Sequence, residues 1–233
     1  MKKLSKRMKK GLEQVEQSAY TLEEIIEKIK AFPKAKFDET VELNFHLGID
    51  TKKTEQMVRG SVSLPYGTGR AVRVLVFCRG EEARDAQAAG AEHVGSDELI
   101  EKVAGGWCDF DVVVAHPDMM KDISKLGRVL GPRGLMPSPK VGTVTKDLGR
   151  AVTEIKKGRI DFKNDKEGGV HVPVGKVSFE AQKLVDNARA VIKTIVDLKP
   201  QSSKGTYLKT VALSSTMGAG FRLDITTLGN IHK

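Results

Sequence analysis

Two short runs near the middle of the chain, "AVRVLVF" (71–77) and "FDVVVA" (110–115), are almost continuously apolar. A strand with one wet face alternates, whereas a strand apolar on both faces must be covered on both, as in parallel or partly parallel sheets flanked by helices. Between the runs stand "EEARDAQAAGA" and "SDELIEKVA", which read as helices, the second opened by Ser96 or Asp97 as cap. A further helix is predicted over 145–157, with Gly158 at its exit. The centre of the chain therefore reads as a three-layer α/β block.

The segments on either side follow a different pattern. In "TVELNFHL", Val41, Leu43, Phe45 and Leu47 alternate with Thr40, Glu42, Asn44 and His46, so one face of this strand is apolar and the other is polar and free. Before it, Leu4, Met8, Leu12 and Val15 predict a first helix; Thr21 and Glu24 form a capping box for a second, whose stripe is Leu22, Ile25, Ile26 and Ile29 and whose end is marked by Pro33. After Gly158, "RIDFKND" and "GGVHVPVGKV" read as strands, and Ser178 is the expected cap of a helix with the stripe Leu184, Ala188, Val191, Ile192 and Ile195. Strands at 206–213 and 221–225 finish the chain, with "STMGAG" as the turn between them.

Neither flank alone has enough elements for a layered core, but together they make an α+β unit. The expected organisation is a discontinuous α+β domain, 1–68 plus 159–233, with a Rossmann-like α/β domain, 69–158, inserted into it. "LPYGTGR" and the region of Gly158 are the expected linkers.

Charge separates the two parts. The chain of 233 residues has 39 Lys and Arg against 30 Asp and Glu, a net +9, with an isoelectric point near 9.4. The central block carries 14 basic and 13 acidic residues and the flanks 25 and 17, so the excess belongs to the ends of the chain and favours a nucleic-acid partner. Six of the flanking cations are Lys2, Lys3, Lys6, Arg7, Lys9 and Lys10, an arm that either stays solvated or meets phosphate.

Other classes find little support. No stretch has the roughly 20 apolar residues that cross a bilayer, and no apolar core of a signal peptide follows the basic start, so a cytoplasmic protein is expected. Cys78 and Cys108 stand apart in apolar surroundings and read as buried thiols; no disulfide framework, metal site or catalytic constellation is expected. "VFCRGEEA" lacks the Gly-x-Gly-x-x-Gly fingerprint, and no Gly-x-x-x-x-Gly-Lys-Ser/Thr loop occurs, so no nucleotide cofactor is expected. "LGPRGLMPSPK" reads either as a long connection or as a rigid basic loop offering Arg133 and Lys140 to phosphate.

Three stretches in order, "LGPRGLMPSPKVGTVT", "GGVHVPVGKVSF" and "STMG", together with "KFDETVELNFHLGID", resemble the family of large-subunit ribosomal protein one in its bacterial or organellar form. The resemblance implies a split RNA-gripping domain and an inserted domain without a cofactor. It implies a protein, monomeric when free, that binds the mobile stalk of the large-subunit rRNA beside the exit site, assists release of deacylated tRNA and represses its own operon mRNA. Carried over by position, the RNA surface falls on Lys36, Phe37, Thr40, Glu42, His171, Thr216, Met217 and Gly218, with Arg133 and Lys140 as tRNA contacts. On this reading Gly218 lets RNA come close, and Glu42 confers selectivity rather than affinity. The competing readings make Phe37 part of the core and Thr40 and His171 ordinary surface. The family often has proline after Thr-Met-Gly; Ala219 and Gly220 stand here and should loosen the turn. The alternative function is a generic nucleic-acid-binding module outside the ribosome, with an enzyme a more distant third.

Overall fold

The computed structural model describes residues 5–12, 15, 18–80 and 82–226, the side chain of Lys140 excepted. Lys2, Lys3 and Leu4, named above, lie outside the described residues. The chain falls into two compact units, Met1–Gly69 with Ile160–Lys233, and Arg70–Arg159.

The first unit opens with α1 (Lys6–Leu12), α2 (Leu22–Ala31), β1 (Thr40–Leu47) and β2 (Arg59–Ser63). In the second unit follow β3 (Val74–Phe77), α3 (Glu82–Ala88), β4 (His93–Gly95), α4 (Asp97–Ala104), β5 (Val112–Ala115), the single turns α5 (Met120–Ile123) and α6 (Gly127–Leu130), and α7 (Leu148–Lys156). The chain ends with β6 (Arg159–Lys163), β7 (Gly169–Lys176), α8 (Ala181–Asp197), β8 (Leu208–Ser215) and β9 (Gly220–Arg222).

In the first unit the principal sheet is antiparallel in the order β7-β1-β8-β9, so the strand from the first part of the chain sits between strands from the last. The alternation in β1 sends Val41, Leu43, Phe45 and Leu47 into a core shared with α2 and α8, whose apolar stripes are buried as their spacing requires. The Thr21–Glu24 capping box is present in full. The Asn187 side chain, fully buried in α8, donates to the carbonyls of Val174 and Gly67 and accepts from the Tyr66 N–H, so the "PYG" segment is pinned to helix and sheet. A second, two-stranded sheet pairs β2 with β6.

In the second unit three parallel strands run in the order β4-β3-β5. Leu75 and Phe77 face one apolar cluster with Val103 of α4 and with Ile123 and Leu130; Val74 and Val76 face the other with Ala86 of α3 and Val152 of α7. The sheet is thus covered on both faces, as continuously apolar strands demand. Cys78 is buried, and burial together with the nearby Glu82 charge pushes its thiol up; Cys108 is only partly buried.

Several local expectations need correction. Ser178 does not cap α8: its hydroxyl donates to Asp38 at 2.7 Å, and the helix starts after Glu180. The helix expected from residue 145 begins at Leu148, because the Asp147 carboxylate accepts from the Arg150 N–H and makes Asp147 the cap. Ser96 occupies the cap position of α4, yet its side chain makes no capping bond. Leu12 is exposed rather than part of a buried stripe. β2 alternates in burial, but Val62 is its one apolar side chain, and β4 has three residues, so neither carries an apolar repeat that marks it as a strand.

Candidate nucleic-acid interface

The polar residues of β1 come to lie on the sheet face opposite α2 and α8. Register places Glu42 between Pro173 and Ser214, and Asn44 between His171 and Ala212. Beyond β8, Gly220 pairs with Ser214 and the exposed Arg222 with Ala212. Three side chains link across three strands: His171 Nδ1 stands 2.7 Å from Asn44 Oδ1, and Asn44 Nδ2 donates to Ser214 Oγ at 3.1 Å. Because the Asn44 amide donates to Ser214, its oxygen faces the imidazole and accepts from Nδ1–H. Asp165 Oδ2 lies 3.9 Å from Nε2. The backbone N–H groups of Gly169 and Glu167 hold the Asp165 carboxyl below its ordinary range. The Glu42 carboxylate accepts no hydrogen bond and makes no ion pair among the described residues.

At one end of this face two loops meet. Thr216, just past β8, is joined to Thr40, the first residue of β1: the Thr216 N–H donates to the Thr40 carbonyl at 3.0 Å, and the Thr40 N–H donates to the Thr216 hydroxyl at 3.0 Å. That hydroxyl also donates to the Thr40 carbonyl at 3.3 Å, leaving it one acceptor site. The Thr40 hydroxyl accepts from Lys176 Nζ at 2.9 Å and keeps its own proton to donate.

Beneath the loops sits Glu39, only 5% exposed. Its Oε2 accepts from Ser215 Oγ at 2.8 Å and the Met217 N–H at 3.0 Å; its Oε1 accepts from the Ala35 N–H at 3.0 Å and from Arg7 at 3.4 Å. Burial alone would raise the Glu39 carboxyl, but the Ser215 hydroxyl, the two backbone N–H groups and the Arg7 charge together hold it below its ordinary value. Arg7 also donates to the carbonyls of Pro33 and Met217. One cation of the N-terminal arm, with its side chain 26% exposed, is therefore spent largely on internal partners and ties the two loops together. The sequence marks Arg7 only as one cation of the arm and Asn44 only as part of the free face, and it singles out neither Glu39 nor Lys176. Asn44 was visible on the free face, but nothing local marks Glu39, whose partners come from residues 7, 35, 215 and 217.

Around this hub two large apolar side chains stand in solvent, Phe37 at 54% and Met217 at 51% exposure. The reading of Phe37 as core is thereby overturned. Lys36 is exposed beside it. Gly218 has a role of its own within the turn: its N–H donates to the Ser215 carbonyl, and a Cβ at this position would stand 2.3 Å from Ser215 Oγ. Gly220 has open space where a Cβ would be. Ala219 is buried in the core, so its side chain ties the turn to the sheet. The structure thus gathers Lys36, Phe37, Thr40, Thr216, Met217 and Gly218 at one end of the open face, with Glu42 and His171 on the face itself.

Arg133 belongs to the other unit, where residues 131–134 are exposed, while Leu135 and Met136 pack on the core and Pro137 is buried. The side chain of Lys140 lies outside the described residues. No group of three or more His, Cys, Asp or Glu able to hold a metal ion occurs among the described residues, and no helix among them is long and apolar enough to cross a membrane.

Residues 29–219, most of the chain, match the family model described as the ribosomal protein L1p/L10e family. The match spans both units and ends inside the loop that carries Thr216, Met217 and Gly218.

Proposed function

Since the chain belongs to the ribosomal protein L1p/L10e family, whose members are structural RNA-binding proteins of the large ribosomal subunit rather than enzymes, we propose that the first unit grips rRNA with its open sheet face and the paired loops at its end. The observation that carries this reading is the convergence of Phe37 and Met217, both exposed, on a sheet face whose polar groups keep unused hydrogen-bonding capacity.

Folded RNA suits that capacity. The Thr40 hydroxyl donates to a phosphate or ribose oxygen; Thr216 and Glu42 accept from 2′-hydroxyls or base amino groups; His171 offers its Nε2 edge to the same groups. Phe37 and Met217 pack against ribose or base, and Lys36 meets phosphate. Glu42 repels phosphate, so it sets register and selects an amino or 2′-hydroxyl partner. The RNA is the base of the mobile stalk beside the exit site. The inserted unit, Arg70–Arg159, adds little to that affinity and offers Arg133 and Lys140 to the departing deacylated tRNA. The same face takes the protein's own operon mRNA and so represses its translation.

The test is filter binding of a stalk-base rRNA fragment to the full chain. Thr216→Ala and Met217→Ala are expected to weaken binding roughly tenfold or more, by loss of the clasp and of the packing surface, while Lys6→Ala leaves it within about twofold. Equal affinity of all three variants, with unchanged circular dichroism, would remove the loop from the site. Equal affinity of the wild type for an unrelated RNA hairpin would favour the generic nucleic-acid-binding module.

A further inference from the structure

The other end of the same two strands carries a basic hollow. Gly48 and Asp50 after β1, Lys53, Lys204 and Thr206 before β8, and Lys209 within it line an open concavity of about 990 Å³. That volume is many times that of one phosphate group and suits a stretch of nucleic-acid backbone. Its walls are held by buried groups. The Gln56 side chain accepts from the Asp50 N–H at 2.7 Å and donates to the Ser202 carbonyl at 3.1 Å, while the Ser203 hydroxyl donates to the Gly48 carbonyl at 3.1 Å. Gly48 lies so close to the facing chain that a Cβ would stand 2.2 Å from the Thr206 carbonyl oxygen.

Lys209 reaches the hollow because the register of β1 and β8 slips there. His46 faces Thr210 and Leu47 faces Leu208, which leaves Lys209 as the extra residue of a bulge. Strict alternation with the buried Val211 and Leu213 would have turned Lys209 toward the core; the bulge aims it outward. Asp50, the single carboxylate of the lining, is already engaged by the Lys52 N–H and by Lys53 at 3.9 Å. Lys204 and Lys209 are exposed and have no ion-pair partner among the described residues. A fixed hollow in which cations converge with one compensating acid attracts anions.

We propose that this hollow is a second phosphate-binding point for RNA, with Lys204 and Lys209 contacting backbone phosphates of the molecule held at Thr216 and Phe37. The proposal rests on the RNA-binding reading of the open face. The eight residues of β1 separate the two ends by about 25 Å, with His46 and Thr210 exposed at the hollow end of the face. An RNA helix lying along the strands spans both.

The experiment measures binding of a stalk-base rRNA fragment to the full chain over a series of KCl concentrations. The Lys204→Ala/Lys209→Ala double variant is expected to bind roughly tenfold more weakly near physiological salt and to lose about 1.5 from the slope of log affinity against log salt, the share of two phosphates. Lys204→Arg/Lys209→Arg keeps the wild-type slope. Lys193→Ala, exposed on α8, controls for net charge and also keeps it. Unchanged affinity and slope in the double alanine variant, while Thr216→Ala still loses binding, would overturn the second site and leave the open-face reading standing. Loss in the arginine pair equal to that in the alanine pair would also overturn it. Loss in the double variant with full binding by Thr216→Ala would place RNA at the hollow alone and refute the open-face reading.

Discussion

Replacing Glu39 by glutamine tests whether a buried carboxylate holds the RNA-facing loops in place. In the wild type each carboxylate oxygen accepts two hydrogen bonds, Ser215 and Met217 on one, Ala35 and Arg7 on the other. Glutamine puts an NH2 group on one side, donor against donors, and removes the charge that faces Arg7. Two bonds to a charged acceptor, at about 1.5–3 kcal/mol each, are lost, and partial opening of the loops to water recovers some of this, leaving a net cost of about 2–4 kcal/mol. For a protein of this size each kcal/mol shifts Tm by roughly 2–4 °C, so Glu39→Gln is expected to melt roughly 4–16 °C lower at neutral pH. The pH dependence has a definite sign. The folded carboxyl lies below its ordinary 4.5, so its stabilising contribution is complete above that value and is lost as pH falls through the lowered folded value. The gap between wild type and variant, followed by circular dichroism melts, therefore narrows on acidification. A Tm within a degree of wild type at neutral pH, or a gap that stays constant down to pH 3, would refute the assignment of Glu39 as the anchor. RNA affinity should fall with the anchor, because the Ser215–Met217 loop and the Ala35–Glu39 segment are freed together.

Two further substitutions separate internal packing from contact with RNA. Gly218→Ala is expected to destabilise the turn by about 1–2 kcal/mol, since its Cβ must displace Ser215 Oγ and with it the bond to Glu39, whereas Gly220→Ala, with open space at its Cβ, stays within about 0.5 kcal/mol of wild type in urea melts. Phe37→Ala leaves Tm unchanged because the ring is exposed, yet weakens RNA binding by about 1–3 kcal/mol in filter assays; a fall in Tm instead would return the ring to a structural role.

Periodicity alone determined the strand at Thr40–Leu47, its free polar face, the stripes of α2 and α8 and the doubly covered sheet of the second unit, because a buried face imposes its repeat on the residues that form it. The Thr21–Glu24 box was equally legible, being a contact between residues three apart. What the sequence could not display is any arrangement whose parts are far apart along the chain. Glu39 is an ordinary exposed-looking acid until Arg7 and Ser215 arrive; Ser178 resembles a cap until Asp38 takes its hydroxyl; Lys209 appears to alternate with the core until a bulge turns it. The glycine of "STMG" could be read locally as leaving room for RNA, but the demand for a glycine there comes from Ser215, brought over it by the turn and fixed by a carboxylate 176 residues away. Local pattern encodes which residues are buried; only the closed structure decides which polar groups share a partner, because desolvation and hydrogen bonding act through space rather than along the chain.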